Sequence, residues 1–240
     1  MAHHLYMWST TKTHFIEKHD FYVEQIKRRV LNNFSDDLIE ADADRFGDEI
    51  YERYGQSFHP DRHDADFGVE AAYDANQNHF TQLYEMKKQM LLSALAGCFH
   101  QWEKELRNFL ERELRHTVAP EDVIKYVWKQ EISKIFDLLK DFGWGCEQLN
   151  FFRHLDASRL IVNVYKHGKG PSLSQLSNAY PQYLGKKKSL QKNEPKLFAY
   201  ILRHEWLEIS ESDFDELTLA LRQFWVEFPE NLYYKAPPTP

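Results

Sequence analysis

Apolar residues recur at intervals of three and four along most of the chain, the spacing of amphipathic helices. Residues 13–33 place Phe15, Phe21, Ile26, Val30 and Leu31 at near-helical spacing, and Asn32-Asn33 closes that segment. Ser35 then caps a second helix, with Asp36 and Asp37 in its first turn, running to about Tyr54. The acids of that helix (Glu40, Asp42, Asp44, Asp48, Glu49 and Glu52) read as a solvated face. Beyond a loop at 56–68, the longest run extends from about Glu70 to His116 with no proline and only Gly97 as a glycine. Phe80, Leu83, Tyr84, Met90, Leu91, Leu95, Trp102, Leu106, Phe109, Leu110 and Leu114 set its period. Small residues at Ala96-Gly97 invite a kink and close approach by another helix.

Pro120, Glu121 and Asp122 open the next helix in the expected way, and its pattern runs through Leu139 to Gly143-Trp144-Gly145. A helix ending at His167 follows, then a lysine-rich stretch from Gly168 to Lys196 that reads as irregular. Leu197–Glu208 fits helix or strand. The last helix opens at the capping pattern Ser212-Asp213-Phe214-Asp215 and runs to about Phe228, where Pro229 ends it. Antiparallel helices on short connections predict an all-α helical bundle.

Composition agrees with packed helices: 17 Phe, 13 Tyr and 6 Trp against 9 Gly and 9 Pro leave little room for disorder. Cys98 and Cys146 have neither disulfide-framework nor metal-like spacing, which suits a reducing compartment. No run approaches the ~20 apolar residues that span a bilayer, and the first residues hold no apolar core of signal-peptide length. The expectation is a cytoplasmic protein with no membrane contact.

The segment Leu155–Pro171, LDASRLIVNVYKHGKGP, carries the chemistry. Helical positions four apart drift by only about 40°. Arg159, Asn163 and His167 therefore share one polar stripe, while Leu160, Ile161, Val164 and Tyr165 cover much of the remaining surface. A buried helix with such a stripe needs partners for its polar groups. Gly168-Lys169-Gly170-Pro171 ends the helix and leaves His167 at its negative pole, which favours the charged imidazole. From Arg159 to Arg203 nine basic residues stand against Glu194 alone. That local +8 leaves −15 on the rest of a chain whose net charge is −7. Lys166, Lys169, Lys186, Lys187 and Lys188 belong to this cluster and are candidates for holding a nucleic-acid backbone.

The run Asn163-Val164-Tyr165-Lys166-His167-Gly168-Lys169-Gly170 at the end of a late bundle helix resembles the HEPN superfamily, as does His100–Leu110, HQWEKELRNFL, on the long helix. The resemblance is best over roughly 75–228. It implies a bundle domain over 71–240 with residues 1–70 as an N-terminal helical extension. It also implies a dimer that brings two motifs to one cleft, and a metal-independent endoribonuclease with no cofactor. The setting it implies is toxin–antitoxin or antiviral defence, with an antitoxin or defence protein as a possible partner. In that family the motif is an arginine, four to six residues, then a histidine. His167 matches the histidine and Asn163 the polar position, but Leu160, Ile161 and Val162 occupy the places where the arginine would stand. Arg159 lies one residue too far, though still on the stripe. Some family members without the motif only bind, so a non-catalytic module for protein or nucleic acid is the alternative reading.

Metal-free RNA cleavage needs a base for the ribose 2′-hydroxyl proton and a cation for the charge growing on phosphate. His167 and Arg159 are the residue types for those roles, with Asn163 to fix the ring or hold phosphate. Glu103 is a possible partner of Arg159 or His167, although a surface carboxylate reads as simply. Arg107 and Arg112, upstream of His116, look like a solvated helix face. His59, Asp61, His63 and Asp64 are metal-ligand types, but their proline-containing loop offers no fixed frame and reads as polar surface, so no metal site is expected.

Overall fold

The computed structural model describes residues 4–64, 66–185 and 201–235. The elements are β1 (His4–Tyr6), α1 (Ser9–Arg29), α2 (Asp36–Gly55), α3 (Val69–Leu114), α4 (Pro120–Trp128), α5 (Ile132–Asp141), α6 (Phe152–His167), α7 (Pro171–Ala179), α8 (Glu211–Glu227) and β2 (Asn231–Tyr233). The fold is an all-α helical bundle, and among the described residues it carries one two-stranded ribbon. Compactness divides the chain into Glu24–Leu91 and a larger unit made of Met1–Val23 with Leu92–Pro240. The boundary expected near residue 70 falls at the start of α3, which continues without a break to Leu114.

In the Glu24–Leu91 unit, α2 turns Ile39, Ala43 and Gly47 inward at intervals of four. A Cβ at Gly47 would lie 3.1 Å from the Asn76 Cβ and 3.3 Å from the Ala72 carbonyl, so this position keeps α2 close to α3. Asn76 donates to Asp44 at 2.8 Å and Lys87 pairs with Asp36 at 2.8 Å. Ser35 stands at the α2 N-cap position without the side-chain bond the sequence suggested. In the 56–68 loop the His59 amide donates to His63 Nδ1 at 3.0 Å, and the His63 ring stacks on Phe67 at 3.7 Å. Among the described residues no three His, Cys, Asp or Glu side chains gather as metal ligands.

The core of the larger unit takes Leu95, Trp102, Leu106, Phe109 and Leu110 from the second half of α3 and Phe214, Leu217, Leu221, Phe224 and Trp225 from α8, all buried, and α8 packs on α6. Trp102 and Phe224 meet edge to face at 4.9 Å, and so do Phe109 and Phe228 at 5.3 Å. Each such pair contributes about 0.5–1.5 kcal/mol beyond its burial. Gly97 does admit a close neighbour: a Cβ there would stand 2.8 Å from the Tyr22 hydroxyl of α1.

Four local expectations are corrected. The helix expected to run unbroken from Pro120 to Leu139 is two, α4 and α5, parted at Lys129–Glu131. The cause is Arg107, which is buried rather than solvated. Its guanidinium donates to the carbonyls of Val127 and, at 3.1 Å, Gln130, serving the end of α4 in place of a further turn. The stretch after Gly168 is not all irregular, because Pro171 occupies the first turn of α7 with Leu173 and Leu176 buried. The cap of α8 is Ser210, not Ser212: Asp213 N–H donates to Ser210 Oγ at 3.1 Å while Ser210 N–H donates to Asp213 Oδ2 at 2.8 Å. Separately, β1 and β2, for which the sequence raised no expectation, pair antiparallel in the register His4↔Tyr233, Leu5↔Leu232 and Tyr6↔Asn231.

Candidate functional site

Helix α6 is the most enclosed of the site's elements, with Leu155, Ala157, Ser158, Leu160, Ile161, Val162 and Val164 all buried. Burying a serine requires a partner, and Ser158 Oγ donates to the His154 carbonyl at 2.8 Å. The side left toward solvent carries Asp156, Arg159, Asn163 and His167, half-buried at first and exposed at His167. The stripe expected from spacing is therefore one face of α6, with Asp156 as a fourth member. Tyr165 hydrogen-bonds Ser93 of α3 at 2.6 Å, which fixes the rotation of α6 at its C-terminal end.

Arg159 is committed within its own helix. Its Nε and Nη2 both donate to Asp156 Oδ1, at 2.9 and 2.6 Å. The second carboxylate oxygen of Asp156 accepts from the Tyr180 hydroxyl at 3.0 Å. Tyr180 follows α7, so the packing of α7 on α6 completes the cluster. Burial, then the charge of Asp156 and the hydrogen bond to it, pushes the Tyr180 hydroxyl up to about 12. Tyr180 thus stays protonated as a donor over the neutral range. Asn163 has no hydrogen-bond partner among the described residues.

At the far end, Gly168 N–H closes α6 on the Val164 carbonyl at 2.8 Å, with φ +68 and ψ −123. That backbone conformation is open to glycine and strained for other residues. It turns the chain so that Lys166, His167 and Lys169 are all exposed around one corner. Lys186, Lys187 and Lys188 lie outside the described residues. Glu103 contacts neither Arg159 nor His167 as a hydrogen-bond partner; it accepts from Arg107 Nε at 3.0 Å.

His204 escaped the sequence reading. Its ring packs on Gly168, where a Cβ would sit 3.5 Å from His204 Cδ2. His204 Nδ1 is shielded from solvent, makes no hydrogen bond of acceptable geometry, and lies 3.4 Å from the Glu205 carboxylate. The turn after His167 is thus covered by a second imidazole, from a residue 36 positions beyond Gly168. The arrangement can hold an anion with Lys166 and Lys169 and exchange a proton at His167. It does not offer the forked guanidinium of Arg159, whose Nε and Nη2 face Asp156.

The chain matches no protein family, and no curated protein or solved structure matches it significantly.

Proposed function

We propose that this chain binds RNA at the corner where α6 turns into α7 and cuts it without metal, with His167 as general base. The observation that carries the reading is the exposure of His167 between Lys166 and Lys169, beside a turn whose second glycine, Gly170, has open space around it. In the reaction, His167 takes the 2′-hydroxyl proton, the 2′-oxygen bonds to phosphorus, and the bond to the 5′-oxygen breaks. The departing oxygen takes its proton from solvent or from a protonated imidazole. Lys166 and Lys169 stabilise the charge on phosphate, the role that sequence spacing gave to Arg159. Arg159 instead stiffens the face through Asp156 and Tyr180.

A dimer, and a defence or antitoxin partner that restrains the activity, belong to this proposal through the HEPN resemblance. A non-catalytic RNA-binding module is the second reading, favoured by the engagement of Arg159. The deciding experiment is cleavage of labelled RNA by purified protein in excess chelator, beside His167→Ala and the double variant Lys166→Ala/Lys169→Ala. Loss of cutting in His167→Ala with retained RNA binding supports the enzyme. Binding that weakens in the lysine variant, with no cutting by any protein, supports the module. Equal cutting by wild type and His167→Ala overturns the assignment of the base. Light scattering of the same sample tests the dimer.

A further inference from the structure

A second feature of the larger unit lies on residues the RNA reading does not use. A cleft of about 260 Å³ opens where the last residue of α3, the first turn of α4 and the last turn of α5 meet the segment after β2. Its floor includes Leu114 and Phe142, both buried. Tyr126 and Tyr234, 58% and 39% exposed, stand at its mouth. Tyr234 is held there in two ways: its ring meets Phe142 edge to face at 5.6 Å, and the next residue, Lys235, donates its amide to the Asp141 carbonyl at 2.8 Å.

The polar groups of this cleft have one sign. Asp122 and Asp141 line it, both exposed, and no basic residue does. Neither carboxylate has an ion pair or hydrogen bond among the described residues. Two helices, α3 and α5, also present their C-terminal, partially negative ends here. The positive N-terminus of α4 is offset by Glu121 and Asp122 in its own first turn. The Lys235 side chain lies over Gly143, beside the cleft and outside its lining. Aromatic walls beside two carboxylates that make no ion pair favour a cation with an apolar coat, because ring faces attract cations and the floor repels a hydrated inorganic ion. The volume lies just below the usual range of clefts for drug-sized ligands, which suits a smaller molecule.

We propose that this cleft is a binding site for a small organic ammonium ion, its cationic head between Tyr126 and Tyr234 and its charge balanced by Asp122 and Asp141. Charge complementarity selects this occupant over a neutral apolar ligand, which gains nothing from the two carboxylates, and over an anion, which they would repel.

The probe is choline, with its uncharged carbon isostere 3,3-dimethylbutan-1-ol as control, titrated calorimetrically into the full chain at low salt. Saturable one-to-one binding is expected for choline and binding at least about tenfold weaker for the isostere, the size of a cation–ring contact. Asp122→Asn/Asp141→Asn removes both charges from exposed positions and is expected to weaken choline about tenfold while leaving the isostere unchanged. Tyr126→Ala tests the wall in the same way. Circular dichroism and the melting temperature establish that each variant is folded. Equal binding of choline and isostere, choline affinity unchanged in the double Asn variant, or no saturable binding by the folded wild type each overturns the proposal. RNA cleavage plays no part in the readout.

Discussion

Truncating Arg107 to alanine should be the most damaging single change of a charged residue in the larger unit. Arg107 is 7% exposed and makes three kinds of contact: to the Val127 carbonyl, to the Gln130 carbonyl at 3.1 Å, and to Glu103 at 3.0 Å through Nε. Val127 is fully buried, so its carbonyl loses its partner without gaining water, at about 1–3 kcal/mol. The Gln130 carbonyl and Glu103 are part-exposed and regain some hydration, so their charged hydrogen bonds contribute less than they would in a dry core. The total is about 3–5 kcal/mol, the range for removing one side of a buried ion pair. At about 2–4 °C per kcal/mol for a chain of this size, the melting temperature should fall by about 10 °C. Calorimetry and urea titration of Arg107→Ala, Arg107→Lys and Arg112→Ala measure this. Lysine keeps the charge but cannot reach three acceptors with one ammonium, and should recover less than half of the loss. Arg112, half-exposed, paired with its neighbour Glu113 and lying over the Phe109 ring at 5.5 Å, should shift stability by less than about 1 kcal/mol. An Arg107→Ala protein that melts within about 2 °C of wild type would refute the claim that the guanidinium holds the end of α4.

Two further outcomes follow from local geometry. Gly168→Ala should destabilise by about 1–3 kcal/mol in urea, from backbone strain at φ +68 rather than from a clash, since His204 is at an ordinary contact distance; Gly170→Ala, extended and with open space around it, should be within about 0.5 kcal/mol of wild type. Burial pushes the Cys98 and Cys146 thiols up to about 12, against an ordinary value of 9.0. Their contribution is whole below pH 9 and is lost as pH rises toward 12, because the unfolded thiols ionise first, at up to about 1.4 kcal/mol per pH unit for each. Urea midpoints at pH 8 and pH 10 check this, and rapid reaction of the native thiols with a disulfide reagent at pH 8 would contradict it.

The elements legible in the sequence are those whose signal is local and repeated. The period of α3, from Phe80 through Leu114, and the buried face of α6 are both of this kind. The break between α4 and α5 was hidden because its cause is Arg107, more than twenty residues upstream of Lys129. Helix α7 was hidden because nine residues with two core leucines carry little periodicity, and Pro171 reads equally as a stop or a start. At α8 two capping patterns overlap, Ser210 with Asp213 and Ser212 with Asp215. The first wins because it places Ile209 and Phe214, both buried, as an apolar pair across the cap; the second would place Glu211 and Glu216 there. In the candidate site, spacing located Arg159, Asn163 and His167 on one face. It could not deliver Tyr180 or His204, which are brought in by α7 and by a turn beyond 200.

The pairing of residues 4–6 with 231–233 has a consequence for how the protein is made. Leu5 and Met7 are buried, yet the partners of this edge, Asn231–Tyr233, are translated some 225 residues later. At about 5–20 residues per second, the early strand waits roughly ten to forty-five seconds on the ribosome before its complement exists. Glu24–Leu91 is continuous in sequence and has no such wait, so its helices form first. The larger unit can be completed only when its last residues exist, and the short ribbon is the seam that closes last.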